Sequence, residues 1–372
     1  VAQVNAVITP VFTLFYGQKD ITHDIAPFVL SVTYTDSLKS ESDEIDVQVE
    51  DTAGRWRDAW YPGKGDMLML KLGYQGEALL DCGSFSIDEI ELGAPPDTVS
   101  IRGVATSVNS ALRTASSEGY EETTLDAIAS RIAQKHGLKL VGQIEPITID
   151  RVTQYAETDV GFLKRLAGEY GYALKVTTDE LVFSHLATLR SNAPVTTLTP
   201  QDVARWSLRD TINRIYKDAK VAHQKSKDKE LITYNADGSS STAPRGKSTS
   251  ADTLKVNARA ADQGTAQVKA EAALDDHNEY QQTGSLSMMG NTQLIAGNKI
   301  NLDGFGVLSG EWLITSARHS FDRSSGYSTE IEIGRGPKTA AGSSSGSGKR
   351  KNKKPDTLTV YHPDGTTTQE TQ

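Results

Sequence analysis

Apolar and polar residues alternate through the first hundred positions, as in Asp43-Glu44-Ile45-Asp46-Val47-Gln48-Val49-Glu50, which is the period of a half-buried strand. The same period predicts strands over Phe28–Thr35, Met67–Leu72, Ser84–Leu92 and Thr98–Val104. Turns are marked by Pro62-Gly63, Gly65-Asp66, Gly73 with Gly76, and Pro95-Pro96. Short strands at this spacing predict a barrel or sandwich over residues 1–107. After Ser107 the period changes. Thr123 is placed to cap a helix with Leu125, Ile128, Ala129 and Ile132 on one face, closed by Gly137. A second helix from about Asp159 to Tyr170 carries Leu163, Leu166, Ala167 and Tyr170 on one face and stops at Gly171. Alternation over Tyr172–Val176 and Leu181–Leu186 then predicts a hairpin, so residues 108–193 read as a small α+β domain.

Beyond Pro194 the strand period returns at Arg205–Arg209, Tyr216–His223, Ser285–Met288, Lys299–Leu302, Glu311–His319 and Ser328–Ile333. Between these lie a polar stretch at 225–252, read as a long exposed loop, and an Ala-rich stretch near 262–276, read as a helix. Residues 194–336 thus form a second β domain, and the Gly/Ser-rich, then basic, segment 337–372 a flexible tail. The two β domains share a pattern. Gly65-Asp66-Met67-Leu68-Met69-Leu70, then Cys82-Gly83-Ser84-Phe85-Ser86-Ile87, then Thr98-Val99-Ser100-Ile101-Arg102-Gly103 are echoed in order near the other end. The echo is Gly297-Asn298-Lys299-Ile300-Asn301-Leu302, then Ser309-Gly310-Glu311-Trp312-Leu313-Ile314, then Thr329-Glu330-Ile331-Glu332-Ile333-Gly334. Either a duplicated barrel or chance alternation accounts for it. The expected fold class is therefore α+β, mainly β, with two similar β-barrel domains flanking the α+β domain.

Composition narrows the function classes. The chain has 372 residues, 37% of them hydrophobic, enough for two or more packed domains. Its single cysteine, Cys82, excludes an internal disulfide and points to folding in reducing cytoplasm; a small buried hydrophobe is the expected role. No apolar run approaches the ~20 residues that span a bilayer, and stable membrane association is not expected. The net charge of −9 is uneven: residues 1–100 carry 6 basic and 17 acidic groups, 101–200 carry 10 and 11, and 201–372 carry 23 and 20. An acidic first third is either a solvated face or a wall that repels phosphate, and argues against sequence-specific nucleic-acid binding there.

Templates for catalysis find no match. The one G-x-S-x-G, Gly342-Ser343-Ser344-Ser345-Gly346, lies in the linker rather than between a strand and a helix. The seven histidines form no i, i+3 or i+4 pair, and adjacent acids such as Asp43-Glu44, Glu121-Glu122 and Asp275-Asp276 lack the separation that glycosidase chemistry requires. No catalytic residue, cofactor or metal site is expected. The basic cluster Lys349, Arg350, Lys351, Lys353 and Lys354 reads either as a solubilising tail or as a hinge before Thr357–Tyr361, where Val360 and Tyr361 would join a strand added to a partner.

One segment is more specific. Arg151 to Leu166, with Gln154, Tyr155, Glu157, Thr158, Asp159, Phe162, Arg165 and Leu166, followed by Glu169-Tyr170-Gly171-Tyr172, closely resembles the segment of VgrG-type spike proteins and phage tail hubs that reads QY-x-E-[ST]-D, a Phe, then RL. Thr158 or Asp159 would cap its helix, and Gly171 would end it. Asp46 to Asp51 and Trp60-Tyr61-Pro62-Gly63-Lys64-Gly65-Asp66 are similar to the N-terminal domain of the phage late control gene D family, and Ala317-Arg318-His319 before Gly326-Tyr327-Ser328-Thr329 to its C-terminal barrel. The resemblance covers roughly residues 10–335. It implies two tail-tube-like barrels per chain in a homotrimeric baseplate hub of a contractile phage tail or phage-derived bacteriocin, adapting a hexameric tail tube protein to a trimeric spike protein. Implied partners are further copies of the chain, the tube, the spike, other baseplate proteins, and DNA only in transit. The implied location is the host cytoplasm during assembly and then the baseplate. A hub with cell-envelope-degrading activity, or the hub part of a VgrG-like secretion spike, is the alternative.

Overall fold

The alternating segments form the strands expected of them, yet they join differently from two separate barrels. This computed structural model describes residues 8–39, 42–105, 114–177, 179–211, 216, 218–225, 230–237, 253–256, 258–260, 262–279, 281–335, 357–361 and 367–371. Mainly β structure results. Eleven strands run side by side in one sheet, in the order Arg205–Asp210, Gln282–Met289, Gly326–Arg335, Gly310–Asp322, Val29–Ser37, Glu44–Glu50, Thr98–Val104, Leu80–Gly93, Met67–Tyr74, Pro10–Tyr16 and Lys19–Asp20. Lys299–Leu302 and Thr196–Leu198 branch from Gly310–Asp322, which makes thirteen. Among the described strands no pairing closes either half on itself. The reason is the length of Gly310–Asp322. Its first residues pair with Lys299–Leu302, and on the same edge Ser316 to Asp322 pair with Ser37 to Ser31 of the first half.

Each half nevertheless keeps its own core. Leu14, Val32, Ile45, Val47, Leu70 and Phe85 are buried together in the first, and Leu286, Leu302, Trp312, Ile314 and Ile331 in the second. The halves also share one connectivity. Taken in chain order, Val29–Ser37, Glu44–Glu50, Met67–Tyr74, Leu80–Gly93 and Thr98–Val104 correspond to Arg205–Asp210, Gln282–Met289, Lys299–Leu302, Gly310–Asp322 and Gly326–Arg335. Every neighbouring pair within one set has an antiparallel counterpart in the other. Details coincide as well. The register slips between Ile87 and Glu89 in one half and between Ile314 and Ser316 in the other, each the extra residue of a β-bulge. Gly83 and Gly310 occupy matching positions opposite Leu70 and Leu302, and both have φ in the left-handed region, +91° and +118°. The first two segments of the echo read in the sequence fall in this register, whereas the third is displaced by one residue, Gly103 matching Ile333 rather than Gly334. The strand that precedes each set differs: Pro10–Tyr16 runs antiparallel to its neighbour Met67–Tyr74, Thr196–Leu198 parallel to Lys299–Leu302.

Between the halves, helix Leu125–His136 and helix Asp159–Glu169 pack with strands around Leu125, Ile128, Phe162, Leu163, Leu166 and Phe183. Thr124, not Thr123, caps the first helix, accepting from Ala127 N at 3.2 Å. Thr123 is still in a strand, opposite Ile149. Part of the segment expected as loop is also a strand: Glu230–Asp237 pairs with Asp218–Lys225, which pairs with Thr253–Val256. The Ala-rich helix spans Gln263–Asn278, capped by Asp262, and lays Ala266, Ala270 and Leu274 against this small sheet.

A salt-bridged clamp ties the regions together. Lys175 Nζ lies 2.6 Å from Asp36 Oδ1 and 2.8 Å from Asp43 Oδ2, both carboxylates being buried. Asp36 also accepts from Ala296 N at 2.8 Å, and Asp43 from the Tyr34 hydroxyl at 3.1 Å. Nearby, His319 is fully buried and stacked on Tyr34; its Nε2–H donates to the Leu294 carbonyl at 2.9 Å and its Nδ1 accepts from Tyr327 at 2.8 Å. Burial pushes its imidazole below the ordinary histidine range, which keeps it neutral here. Contacts divide the chain into two units, Val1–Thr339 and Ala340–Gln372.

Candidate functional site

The motif at 154–171 begins with a break in a strand. Thr148–Thr158 pairs with Ala115–Thr124, but the register shifts between Gln154 and Glu157. Ala156 takes a φ of +50°, uncommon for a residue with a Cβ, and donates its N–H to Ser117 Oγ at 3.0 Å. This bulge turns Gln154 inward and leaves Tyr155 78% exposed. The chain then enters the helix at Thr158, whose hydroxyl accepts from Gly161 N at 3.0 Å. Thr158→Ala is expected to cost about 1 kcal/mol of folding stability, measurable by urea denaturation.

Asp159, 1% exposed, is the centre of the motif. Its carboxylate accepts from Lys135 Nζ at 2.7 Å, His136 Nε2 at 2.6 Å, Gln154 Nε2 at 2.8 Å and Ser116 Oγ at 3.3 Å. One carboxylate therefore holds the end of helix Leu125–His136, the bulged strand, its partner strand and the start of helix Asp159–Glu169. Burial opposes its charge, but the hydrogen bonds from Lys135, Gln154 and His136 outweigh that and hold the carboxyl down to about 2. On the outer side, Arg165 presents Nε and Nη2 to the two Glu157 oxygens at 3.2 and 3.1 Å, reaches Glu169 at 3.2 Å, and lies over the Phe162 ring. Phe162 stacks on Tyr120, centroids 5.3 Å apart, and Leu166 is buried beside them. Gly171 takes φ +78° just past the helix and lies against Ala272 of the Ala-rich helix. The motif is thus a lock joining four elements, with Tyr155 its one exposed large hydrophobic side chain.

The remaining expected residues fall elsewhere. Cys82 is buried and burial pushes its thiol up, so it behaves as a small hydrophobe. Val360 and Tyr361 lie in a strand, Thr357–Tyr361, whose described partner is Thr367–Thr371 of the same tail. Lys349, Arg350, Lys351, Lys353 and Lys354 lie outside the described residues. Among the described residues no group of three His, Cys, Asp or Glu is placed to hold a metal ion. No helix among them is long and apolar enough to cross a membrane. Sequence reasoning missed the Lys175 clamp and an aromatic pocket around Trp56. The only signal for the first was a lysine inside an apolar strand, and for the second three aromatics within six residues, Trp56, Trp60 and Tyr61.

Residues 106–325 match the profile of the phage tail baseplate hub (GPD) family, more than half of the chain. The chain belongs to that family. The hub is 32% identical over 201 residues to the probable baseplate hub protein of Escherichia phage 186, covering 52% of this chain and 51% of that one. It spans about half the length of the curated relatives it matches. Its fold is that of the 43 kDa tail protein of prophage MuSo2 from Shewanella oneidensis, with a TM-score of 0.63 at 15% identity over 87% of the hub and 98% of that chain. It is similar also to a chain of the Francisella PdpA-VgrG complex, with a TM-score of 0.53 at 10% identity over 95% of the hub and 62% of that chain. The motif that locks the hub's α+β region lies inside the family match.

Proposed function

We propose that the chain is one third of a homotrimeric, non-enzymatic baseplate hub ring, whose two tube-like domains per chain adapt a hexameric tail tube to a trimeric spike. On this reading the domains are 1–107, 108–193 and 194–336, with 337–372 a linker and partner-binding tail. The ring assembles in the host cytoplasm and then sits in the baseplate beside other baseplate proteins. Residues Gln154 to Gly171 serve it structurally, by fixing the α+β region between the two β halves.

The observation that carries this reading is the seam between the halves. Within the chain, Ser316 to Asp322 of the second half pair with Ser37 to Ser31 of the first. By the correspondence of the halves, residues 89–93 match 316–320, and Arg205–Asp210 matches residues 31–36. Pairing of Leu80–Gly93 with Met67–Tyr74 ends at Ser86, and Arg205–Asp210 is the edge of the sheet. Both stretches are largely exposed, with Leu92 and Trp206 among the exposed large hydrophobics. Repeating the internal seam between copies would bring Leu208 opposite Leu92 and Arg209 opposite Glu91 of a second copy, an apolar pair beside an opposite-charge pair. Such a contact is heterologous, and three chains with two halves each close it into a six-part ring. The acidic side chains alternating along the sheet, Glu44, Asp46, Glu50, Glu330 and Glu332, would then repel the phosphates of DNA in a channel if that face lines it. A density map of the ring with this face outside removes that last element.

The experiment is light-scattering mass measurement of wild type, Arg209→Glu and the exchanged pair Glu91→Arg with Arg209→Glu. Three times the chain mass is expected for wild type, loss of the trimer for the single variant, and recovery for the exchanged pair. A persistently monomeric wild type, or an exchanged pair no better than the single variant, ends the reading.

A further inference from the structure

Trp206 stands on the free edge of the second half, in strand Arg205–Asp210, which has Gln282–Met289 on one side and no described strand on the other. Trp206 and Leu208 point to the side of the sheet that carries the core; Leu208 packs against that core, whereas Trp206 is 49% exposed. The indole is braced all the same, because Phe305, itself packed on the second core, meets it in a T-shaped contact at 5.3 Å. The first half shows the matching position covered. Val32, the counterpart of Trp206, is fully buried and lies opposite Phe321 of the second half, a small side chain against a large one. On the other free edge the counterpart of Phe321 is Ala94. The hairpin there is shorter: four residues, 94–97, join Gly93 to Thr98, against seven, 321–327, between Ser320 and Ser328. Ala94, Pro95 and Pro96 are exposed, and Leu92 beside them is 48% exposed. A seam repeated between copies therefore sets large against small again, with the sizes exchanged.

We infer that Trp206 is the anchor by which one copy of the chain grips the next, its indole covering Ala94 and the adjoining Pro95 of the neighbouring first half. Three features select that occupant. Both edges are unpaired within the chain, so a strand that joins either one comes from another molecule. Size selects a first half over a second. Against another second half Trp206 would meet Phe321, two large side chains where the internal seam holds one, whereas Ala94 leaves room for the indole. Charge selects in the same sense: Arg209 would meet Arg318 of a second half, a like pair, but Glu91 of a first half, an opposite pair. A tryptophan already braced by Phe305 loses little freedom on contact, and tryptophan is among the residue types that carry most of the energy of protein interfaces. That a second copy is present rests on the ring reading; that Trp206 carries the contact goes beyond it.

The test uses the whole chain labelled with 5-fluorotryptophan, with its mass read by light scattering over a range of concentrations. Its four tryptophans, 56, 60, 206 and 312, give four fluorine resonances, assigned by single Trp→Phe variants. The Trp206 resonance is expected to shift with concentration in step with the mass, while Trp312, buried in the second core, stays in place. Trp206→Ala should weaken each contact about a hundredfold, which over three contacts raises the concentration of half-assembly about a thousandfold. Ala94→Trp alone should also weaken assembly, by overpacking the seat. The exchanged pair, Trp206→Ala with Ala94→Trp, should bring half-assembly back to within about tenfold of wild type. An unmoved Trp312 signal in each variant reports an intact fold. A trimer that forms with the Trp206 resonance unmoved, its face left to some other protein, overturns the proposal and leaves the ring standing. So do a Trp206→Ala chain that assembles like wild type and an exchanged pair no better than either single variant. A wild type that stays monomeric ends the ring reading and the anchor with it.

Discussion

Asp159→Ala is expected to destabilise the hub by about 3 kcal/mol at pH 7, because it strips the shared acceptor from Gln154, His136 and Lys135 at a buried site. The exposed end of Lys135 recovers water, whereas Gln154 and His136 do not. The dependence on pH separates this from a simple packing loss. The folded carboxyl, at about 2, lies below the ordinary aspartate value near 4, so its contribution is fully present above pH ~4 and disappears as pH falls towards ~2. About 2 kcal/mol of wild-type stability should be lost over that interval through this group. The alanine variant should lack that component, so urea midpoints measured from pH 5 to pH 2 should converge. Parallel curves would refute the account.

Lys175→Met should have the next largest effect, and the opposite pH signature. Removing the ammonium leaves Asp36 and Asp43 buried without their cation, a loss of about 3 kcal/mol at neutral pH. Burial raises the Asp43 carboxyl above its unfolded value even with the lysine present, followed in weight by the lowering effect of Lys175 and the raising effect of Asp36. A raised folded value means that the native state binds protons more readily, so stability falls as pH climbs through the window above ~4. Without Lys175 that fall deepens. The gap between variant and wild type should thus be widest at pH 7 and narrow towards pH 4, as the Asp43 carboxyl takes up its proton. Denaturation at pH 7, 5.5 and 4.5 tests this, and a gap that stays constant contradicts it.

These two sites differ in how far the sequence discloses them. Gln154 to Leu166 is legible because it is local: a cap, a helix face and a stop lie within twenty residues, and only the bulge at Ala156 and the engagement of Lys135 and His136 come from tertiary structure. The first two segments of the strand echo are legible for a similar reason, since a left-handed glycine and the alternation repeat within each half, but alternation alone left the third segment one residue out of register. The seam is not. Nothing in Ser31 to Ser37 states that its partner lies some 280 residues away, because alternation sets which face is buried and not which edge is shared. Ala115–Thr124 was hidden by composition, with Tyr120 its one large apolar residue. Asp36, Asp43 and Asp51 show the same limit on charge: part of the acidic excess counted along the first hundred residues is inside the fold, as ligands of lysine, arginine and backbone groups.

The covalent union of the two halves has a consequence for dilution. In the proposed ring the six halves meet at six seams, but three of these lie within single chains and form at an effective concentration fixed by the polypeptide itself. Only three seams depend on encounter, so the ring's population scales with the third power of chain concentration, where six separate halves would need the sixth. At low chain concentration, that difference in exponent favours completed rings over fragments.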